Sequence, residues 1–347
     1  MNNGWILCVA GLAAAAAGWC GLRLGIPVGG MLGSMLAAAV VSLTTGGFSL
    51  GKTGVLVLQL YVGFSSGCGI GRKQVKTCGR ALPILLVLLP LYCLFDVAFG
   101  VLMSRHSGID LITAMFSLVP GGATDMGTIA AEMGADNSVV GILQVVRVLF
   151  CSLIYPQAFH LVMRVRGRSG TWEQPLASPG QSYHGGRCLI AAAASTVGGL
   201  ALKALGIPGG AILGSMLAAM AVSCLLDGIP VPRWSKDCLQ LASGLYLGSL
   251  VTVGVAASMA SLLTPVLIQM VNMILFEISA VLLVRKFCKI SLETALPVCA
   301  TGGLTEMLPI TYELGGDALV VSTVHALRIV VVVAAFPHLA KTVASLL

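Results

Sequence analysis

LGIPVGGMLGSMLAAAVVS, residues 24–42, returns as LGIPGGAILGSMLAAMAVS at residues 205–223, with fourteen identities in nineteen positions. The offset, from Leu24 to Leu205, holds along the chain without a gap. Gln59 meets Gln240, Phe95-Asp96 meets Phe276-Glu277, and Pro156 meets Pro337. GGATDM at 121–126 aligns with GGLTEM at 302–307, Glu132 with Glu313, Gly134 with Gly315, Asp136 with Asp317 and Arg147 with Arg328. Self-similarity at a fixed period means one structural unit used twice. The units are residues 1–163 and 187–347. The segment between them, 164–186, is too polar to cross a membrane and is expected as a cytoplasmic linker.

Composition decides the solvent. The 347 residues are 57% hydrophobic and only 10% charged, with a mean hydropathy of +0.98, outside the range of soluble domains. Apolar stretches near the ~20 residues that span a bilayer as helix fall at 5–22, 27–46, 54–70, 81–103 and 138–163. They recur at 188–204, 208–226, 238–256, 262–284 and 319–340. High Ala and Gly content suits helices that pack through small residues, and the strand alternation of an outer-membrane barrel is absent. The expected fold class is therefore an all-α polytopic membrane protein in two repeats of about five spans. No basic region precedes the first apolar segment, so it is expected to stay as a span. The eleven cysteines form no CxxC pair or metal-site spacing, and most lie in apolar runs as small hydrophobes.

PGGATDMGTIAAEMGAD, residues 120–136, interrupts the first copy. Irregular backbone survives in hydrocarbon only where protein or a watery cavity satisfies its polar groups. Residues 110–119 make a half-helix of about 15 Å, reaching the middle of a ~30 Å core. Pro120-Gly121-Gly122 stops it there, and Thr124 is expected to cap a second half-helix through 134. If the interrupted segment turns back, each copy crosses an odd number of times and the second copy is inverted. Lys and Arg then divide fourteen against four between the two sides, as the positive-inside rule requires. Parallel copies give twelve against six.

Arg147 lies about 15 Å into the next span, level with Asp125, and the same arithmetic sets Arg328 level with Glu306. A charge at that depth costs about 2.5–3.5 kcal/mol even on insertion scales. Either these are ion pairs that pin the interrupted segment, or they belong to a substrate or ion site built with Gly121, Gly122, Thr124, Gly302, Gly303 and Thr305. Broken helices hold solutes this way in secondary transporters. Asp96 and Glu277 are either proton-linked or bonded to neighbouring hydroxyls. His325, where the first copy has Gln144, is either a proton-linked group or a hydrogen-bonded interior residue. Glu132, Asp136, Glu313 and Asp317 read as surface charges. Gly29/Gly33 and Gly210/Gly214 read as close helix contacts, with no Walker lysine to suggest phosphate binding.

The paired GGxT(D/E)M segments, each followed by E-x-G-x-D and an intramembrane arginine, and the doubled LGIP…LGSMLA stretches resemble the duplicated AbrB-type integral membrane family over essentially the whole chain. Members carry labels of ammonia monooxygenase or AbrB transcriptional regulator. The family is in turn similar to the cation/proton antiporter and bile-acid-symporter superfamily, which implies inverted repeats with crossed, broken helices. The family name implies a link to regulation of gene expression, but it is shared with an unrelated soluble DNA-binding fold that nothing here matches. Five scattered histidines give an oxygenase label no support. Basic residues divided among short loops give DNA binding none.

The expectation is a non-enzymatic secondary transporter of the inner membrane, moving a small anionic solute with protons or sodium. The competing expectation is a membrane-embedded ligand sensor or regulator without transport. Neither needs a cofactor or metal. The partners are the solute or ion and the lipid bilayer, with no nucleic acid, and a homodimer is a possible assembly.

Overall fold

The computed structural model describes residues 4–24, 29–165, 185–207, 209–226, 228–229, 231–253, 262–303, 307–308, 310–311 and 314–346. Among the described residues the regular elements are helices, with no strand. The first copy supplies α1 (Gly4–Arg23), α2 (Gly29–Thr45), α3 (Gly51–Cys68), α4 (Arg72–Ser107), α5 (Leu111–Leu118), α6 (Ala123–Glu132), α7 (Asn137–Leu153) and α8 (Tyr155–Val165). The second supplies α9 (Gly185–Ala204), α10 (Gly210–Leu225), α11 (Arg233–Ser249), α12 (Leu263–Cys288), α13 (Leu292–Cys299) and α14 (Ala318–Leu346). The ends of α9 and α13 follow those of α1 and α5 at the same offset that relates Leu205 to Leu24. The linker segment 166–184, and with it most of the polar stretch, lies outside the described residues.

Among the described residues, six helical stretches are long and apolar enough to cross a membrane: 5–23, 76–107, 137–165, 185–204, 263–288 and 318–346, with shorter apolar helices at Gly29–Thr45 and Gly210–Leu225. The chain is thus an all-helical polytopic membrane protein. The expected spans 54–70 and 238–256 appear as α3 and α11, which are not among these stretches, and a third expected span departs from its outline. Residues 138–163 divide at Ile154 into α7 and α8, just before Pro156, which has no N–H to continue the ladder. Its counterpart Pro337 sits inside the continuous α14.

Small residues set the spacing. A Cβ on Gly29 would strike the Gly21 backbone, and one on Gly33 the backbone of Ala17, so α1 and α2 pack antiparallel at backbone contact. Gly210 against Leu202 and Gly214 against Gly198 repeat this between α9 and α10, the close approach expected of these glycines. The copies then interlock. Gly63 and Gly67 of α3 lie on Ile212 and Met216 of α10, while Gly244 and Gly248 of α11 lie on Met31 and Met35 of α2. Each contact in one pair has its equivalent in the other at the repeat offset, so the copies are related by an approximate two-fold axis. In both pairs residue numbers rise together, so α3 runs parallel to α10 and α2 to α11. The long helices α4 and α12 cross where Phe95 meets its own equivalent, Phe276, edge-on at 5.6 Å between ring centroids. That crossing puts Asp96 and Glu277 beside the axis.

Candidate functional site

Two interrupted hairpins form the site. Asp110 caps α5, accepting from the Thr113 amide at 2.8 Å and from the Thr113 hydroxyl. That hydroxyl also accepts from the Asp136 amide at 2.8 Å. Asp136, the N-cap of α7 just beyond α6, is thereby tied to the first turn of α5, so the segment turns back at 119–122. The second copy repeats the tie, with the Asp317 amide donating to Thr294 Oγ1 at 3.0 Å and Ser291 taking the place of Asp110. Both hairpins are re-entrant.

The tip follows from its glycines. Gly122 caps α6 with φ +96°, a conformation that L side chains rarely adopt. Its neighbour Gly121 has no room for a Cβ, which would lie 2.7 Å from the sulfur of Met126. Thr124 therefore does not cap the half-helix as expected. It lies one residue inside α6, where its amide is already among those pointing out of the N-terminus. Asp125 is buried in that first turn, its carboxylate folded back over Gly122 and favourably placed against the positive helix end. In the second copy the Met307 amide donates to Gly303 O at 3.1 Å, as Met126 does to Gly122 O at 3.0 Å, so Gly303 holds the equivalent place. Gly302 packs on Met307 and Cys151. Thr305 and Glu306 lie outside the described residues, as does Glu313.

Arg147 donates through Nη1 to the carbonyl of Val119, the residue that ends α5. Arg328 donates to Ala300 O at 2.7 Å, Gly302 O at 2.8 Å and the Tyr92 hydroxyl at 3.0 Å. The last carbonyls of a helix have no intrahelical donor and form its negative dipole end. A guanidinium answers both needs at once. The carbonyl ends of these helices take further donors: Gln144 Nε2 reaches Phe116 O at 2.7 Å and shares Val119 O at 3.0 Å, and His325 Nε2 lies 2.9 Å from Pro297 O. Phe116 and Pro297 are equivalents, so the Gln/His exchange keeps one contact. His325 is a hydrogen-bonded interior residue, with Nδ1 3.4 Å from Arg328 Nη2.

Each tip packs against helices of the other copy. Gly302 and Thr301 meet Cys151, one turn beyond Arg147 on α7, and Thr301 lies 3.2 Å from the Tyr155 hydroxyl. Gln269 of α12 donates to Ser117 O beside the first tip at 3.0 Å. Buried carboxyl groups complete the cluster. Arg147 acts electrostatically on both Asp96 and Asp125, and Arg328 on Glu277. Asp96 Oδ2 and both Glu277 oxygens have no hydrogen-bond partner among the described residues. A cavity of about 500 Å³ opens at the base of the second hairpin, where Ser291, Thr294 and Asp317 line it and Arg80 lies 3.9 Å from Asp317.

Several partners escaped the sequence reading. Tyr92 and Gln269 have no counterpart of their type, Met273 and Leu88 standing in their places, so the duplication gave no hint of them. Glu132 is no mere surface charge. It accepts from Gln59 at 3.0 Å and from the Gly209 amide, at the start of α10, at 2.7 Å. Asp136 and Asp317 cap α7 and α14 through bonds of 2.9–3.3 Å. Gln59 recurring at 240 and a Gly-rich helix start facing an acidic residue were the available signals.

The family model described as "Transition state regulatory protein AbrB" matches residues 1–163 and 57–344. "Uncharacterized protein YhjN" of Bacillus subtilis (strain 168) is similar, 25% identical over 346 residues, covering 94% of this chain and 90% of its own length. So is "Putative regulator AbrB" of Escherichia coli (strain K12), 24% identical over 325 residues, covering 93% and 92%. With helices, duplication and hairpins continuous over the length these matches cover, the chain belongs to the AbrB family of integral membrane proteins.

Proposed function

We propose that the protein is a secondary transporter of the cytoplasmic (inner) membrane, moving a small anionic solute by alternating access with protons or sodium as the coupling ion. The observation that carries this reading is that each re-entrant tip lies against helices of the other copy, with Arg147 and Arg328 acting on the carboxyl groups beside the crossing of α4 and α12. There the N-terminus of α6 supplies free amides, Arg147 and Arg328 supply positive charge, and Asp96, Asp125 and Glu277 supply carboxyl groups able to hold a proton or a cation. The arginines do two things in this reading: they hold the tips through backbone carbonyls and set a positive field for the solute. The reading involves no enzymatic step, no cofactor and no nucleic acid, and a homodimer is compatible with it.

Inverted copies are part of the proposal. Consecutive spans joined by a short loop cross in opposite directions, so α10 runs opposite to α11. Because α11 runs parallel to α2, α10 runs opposite to its equivalent α2. The re-entrant hairpins leave five crossings per copy, which supports the same conclusion.

A panel of small organic and inorganic anions, with and without sodium, should yield a ligand that raises the melting temperature of the purified protein. That ligand should then show counterflow in proteoliposomes, and Arg147→Ala should abolish it while membrane insertion persists. Unchanged flux in that variant removes the arginine from the mechanism. The name of the Escherichia coli relative favours a second reading, a membrane-embedded sensor or regulator of gene expression. Ligand binding without counterflow would select it.

A further inference from the structure

A crevice of about 360 Å³ separates α7 and α8 from α12. Phe150, Tyr155 and Phe159 form one wall, and Ile274, Ile278 and Val281 the other. It opens sideways, because Ile154, Ile274, Ile278 and Leu282 around its mouth are 45–62% exposed at the α7–α8 junction and along α12. Its depth is set by Glu277, about halfway along α12 and roughly 17 Å from that helix's C-terminal end.

Glu277 carries a carboxyl group on which Arg328 acts electrostatically but which no hydrogen bond meets among the described residues. The residue is only 8% exposed. A buried carboxyl without a donor is costly in either protonation state, since the neutral acid still leaves its O–H and C=O unmet. The walls offer hydrocarbon and aromatic faces, which favour a cation over an anion. We infer that the crevice is a binding site for a lipophilic amine, with its nitrogen on Glu277 and its alkyl body between the aromatic and isoleucine walls. The amine enters from the bilayer uncharged, and a proton passes from the Glu277 carboxyl oxygen to its nitrogen. The resulting ammonium–carboxylate pair is held by a charge-assisted hydrogen bond, with no net charge carried through hydrocarbon. Arg285, two turns further along α12, also lines the crevice and would seat an anionic head instead. It is partly exposed near the helix end, with only its Nε buried and without a hydrogen-bond partner among the described residues, against both oxygens at Glu277, so the stronger demand is at Glu277. The site shares Glu277 with the cluster assigned to transport, but it needs only the crevice and the carboxyl, and equilibrium binding of an amine reads it without any measurement of flux.

The test uses the full-length protein in nanodiscs and tritiated N,N-dimethyldodecylamine in a scintillation proximity assay. Saturable binding is expected, weakened about tenfold or more by Glu277→Gln. Ala158→Trp, which fills the crevice from its rim without touching the carboxyl, should weaken it comparably. Dodecyltrimethylammonium, with no N–H to donate, should compete at least about tenfold less well than the amine, and laurate should not compete. Equal binding by wild type and both variants, absence of saturable binding, or displacement by laurate better than by amine overturns the site. If Glu277→Gln fails to fold, the Ala158→Trp result decides alone.

Discussion

A guanidinium in the middle of a membrane protein invites a purely functional reading, yet at Arg147 and Arg328 the nearest need is structural. Each closes the carbonyl end of a half-helix that would otherwise present unpaired acceptors at a depth without water. Gln144 and His325 share that duty at equivalent carbonyls. The exchange between them gives a sharp test. His325→Gln should hold the Pro297 carbonyl and melt within about 1 kcal/mol of wild type, whereas His325→Leu should lose about 1–3 kcal/mol for the buried acceptor left unmet. Thermal unfolding in detergent reads both. If Gln proves as damaging as Leu, the imidazole does something an amide cannot, and proton coupling returns to consideration at this residue. In the sequence the position stood out as an asymmetry; that the two side chains make one contact was invisible there, because it depends on a carbonyl of another helix.

At the scale of the element, the hairpin is held at its base by Thr113 and Thr294 and bent at its tip by glycine. Gly122 has φ +96° with the Asp125 carboxylate against it, while Gly134 has φ +77° in open space. Gly122→Ala should therefore cost more than the ~1 kcal/mol expected of Gly134→Ala, toward the upper part of the ~1–3 kcal/mol range for strained backbone. Equal losses in a thermal melt would remove the carboxylate contact from the account. Thr113→Val keeps the shape of the side chain but removes the oxygen between Asp110 and the Asp136 amide. Hydrogen exchange across α5 and α6 should quicken in that variant while α1 and α2 stay protected; uniform protection would mean that packing alone holds the hairpin. The existence of both half-helices was legible from Pro120-Gly121-Gly122 and from span length. The capping residue was not, since Ser/Thr/Asp/Asn preference misleads where a left-handed glycine starts the helix, and Thr124 drew an assignment that belongs to Gly122.

Across the whole molecule, two copies of one helical unit hold their hairpins because each copy completes the other. The glycine contacts of α3 with α10 recur as those of α11 with α2, and α4 meets α12 at Phe95 and Phe276. The duplication and its offset were readable directly, and so was the depth of the arginines. The interlocking was not, because identical small-residue faces can pair within a copy or between copies, and only coordinates distinguish them. The two-fold relation alone leaves the axis free to lie along the membrane normal or in its plane. The direction of α10 relative to α2 argues for the plane, and equivalent positions should then emerge on opposite faces. Arg105 near the end of α4 and Lys286 near the end of α12 are such a pair, equivalent under the repeat. In a cysteine-free background, Arg105→Cys and Lys286→Cys should react with a membrane-impermeant maleimide from opposite sides of sealed, oriented vesicles. Charge sets which side: Arg72, Lys76 and Arg80 begin α4 while Arg285 and Lys286 end α12, so position 286 should be cytoplasmic and position 105 external. Labelling of both from one side would make the copies parallel, send the two hairpins in from the same face, and leave the proposed alternating access without the symmetry it would use.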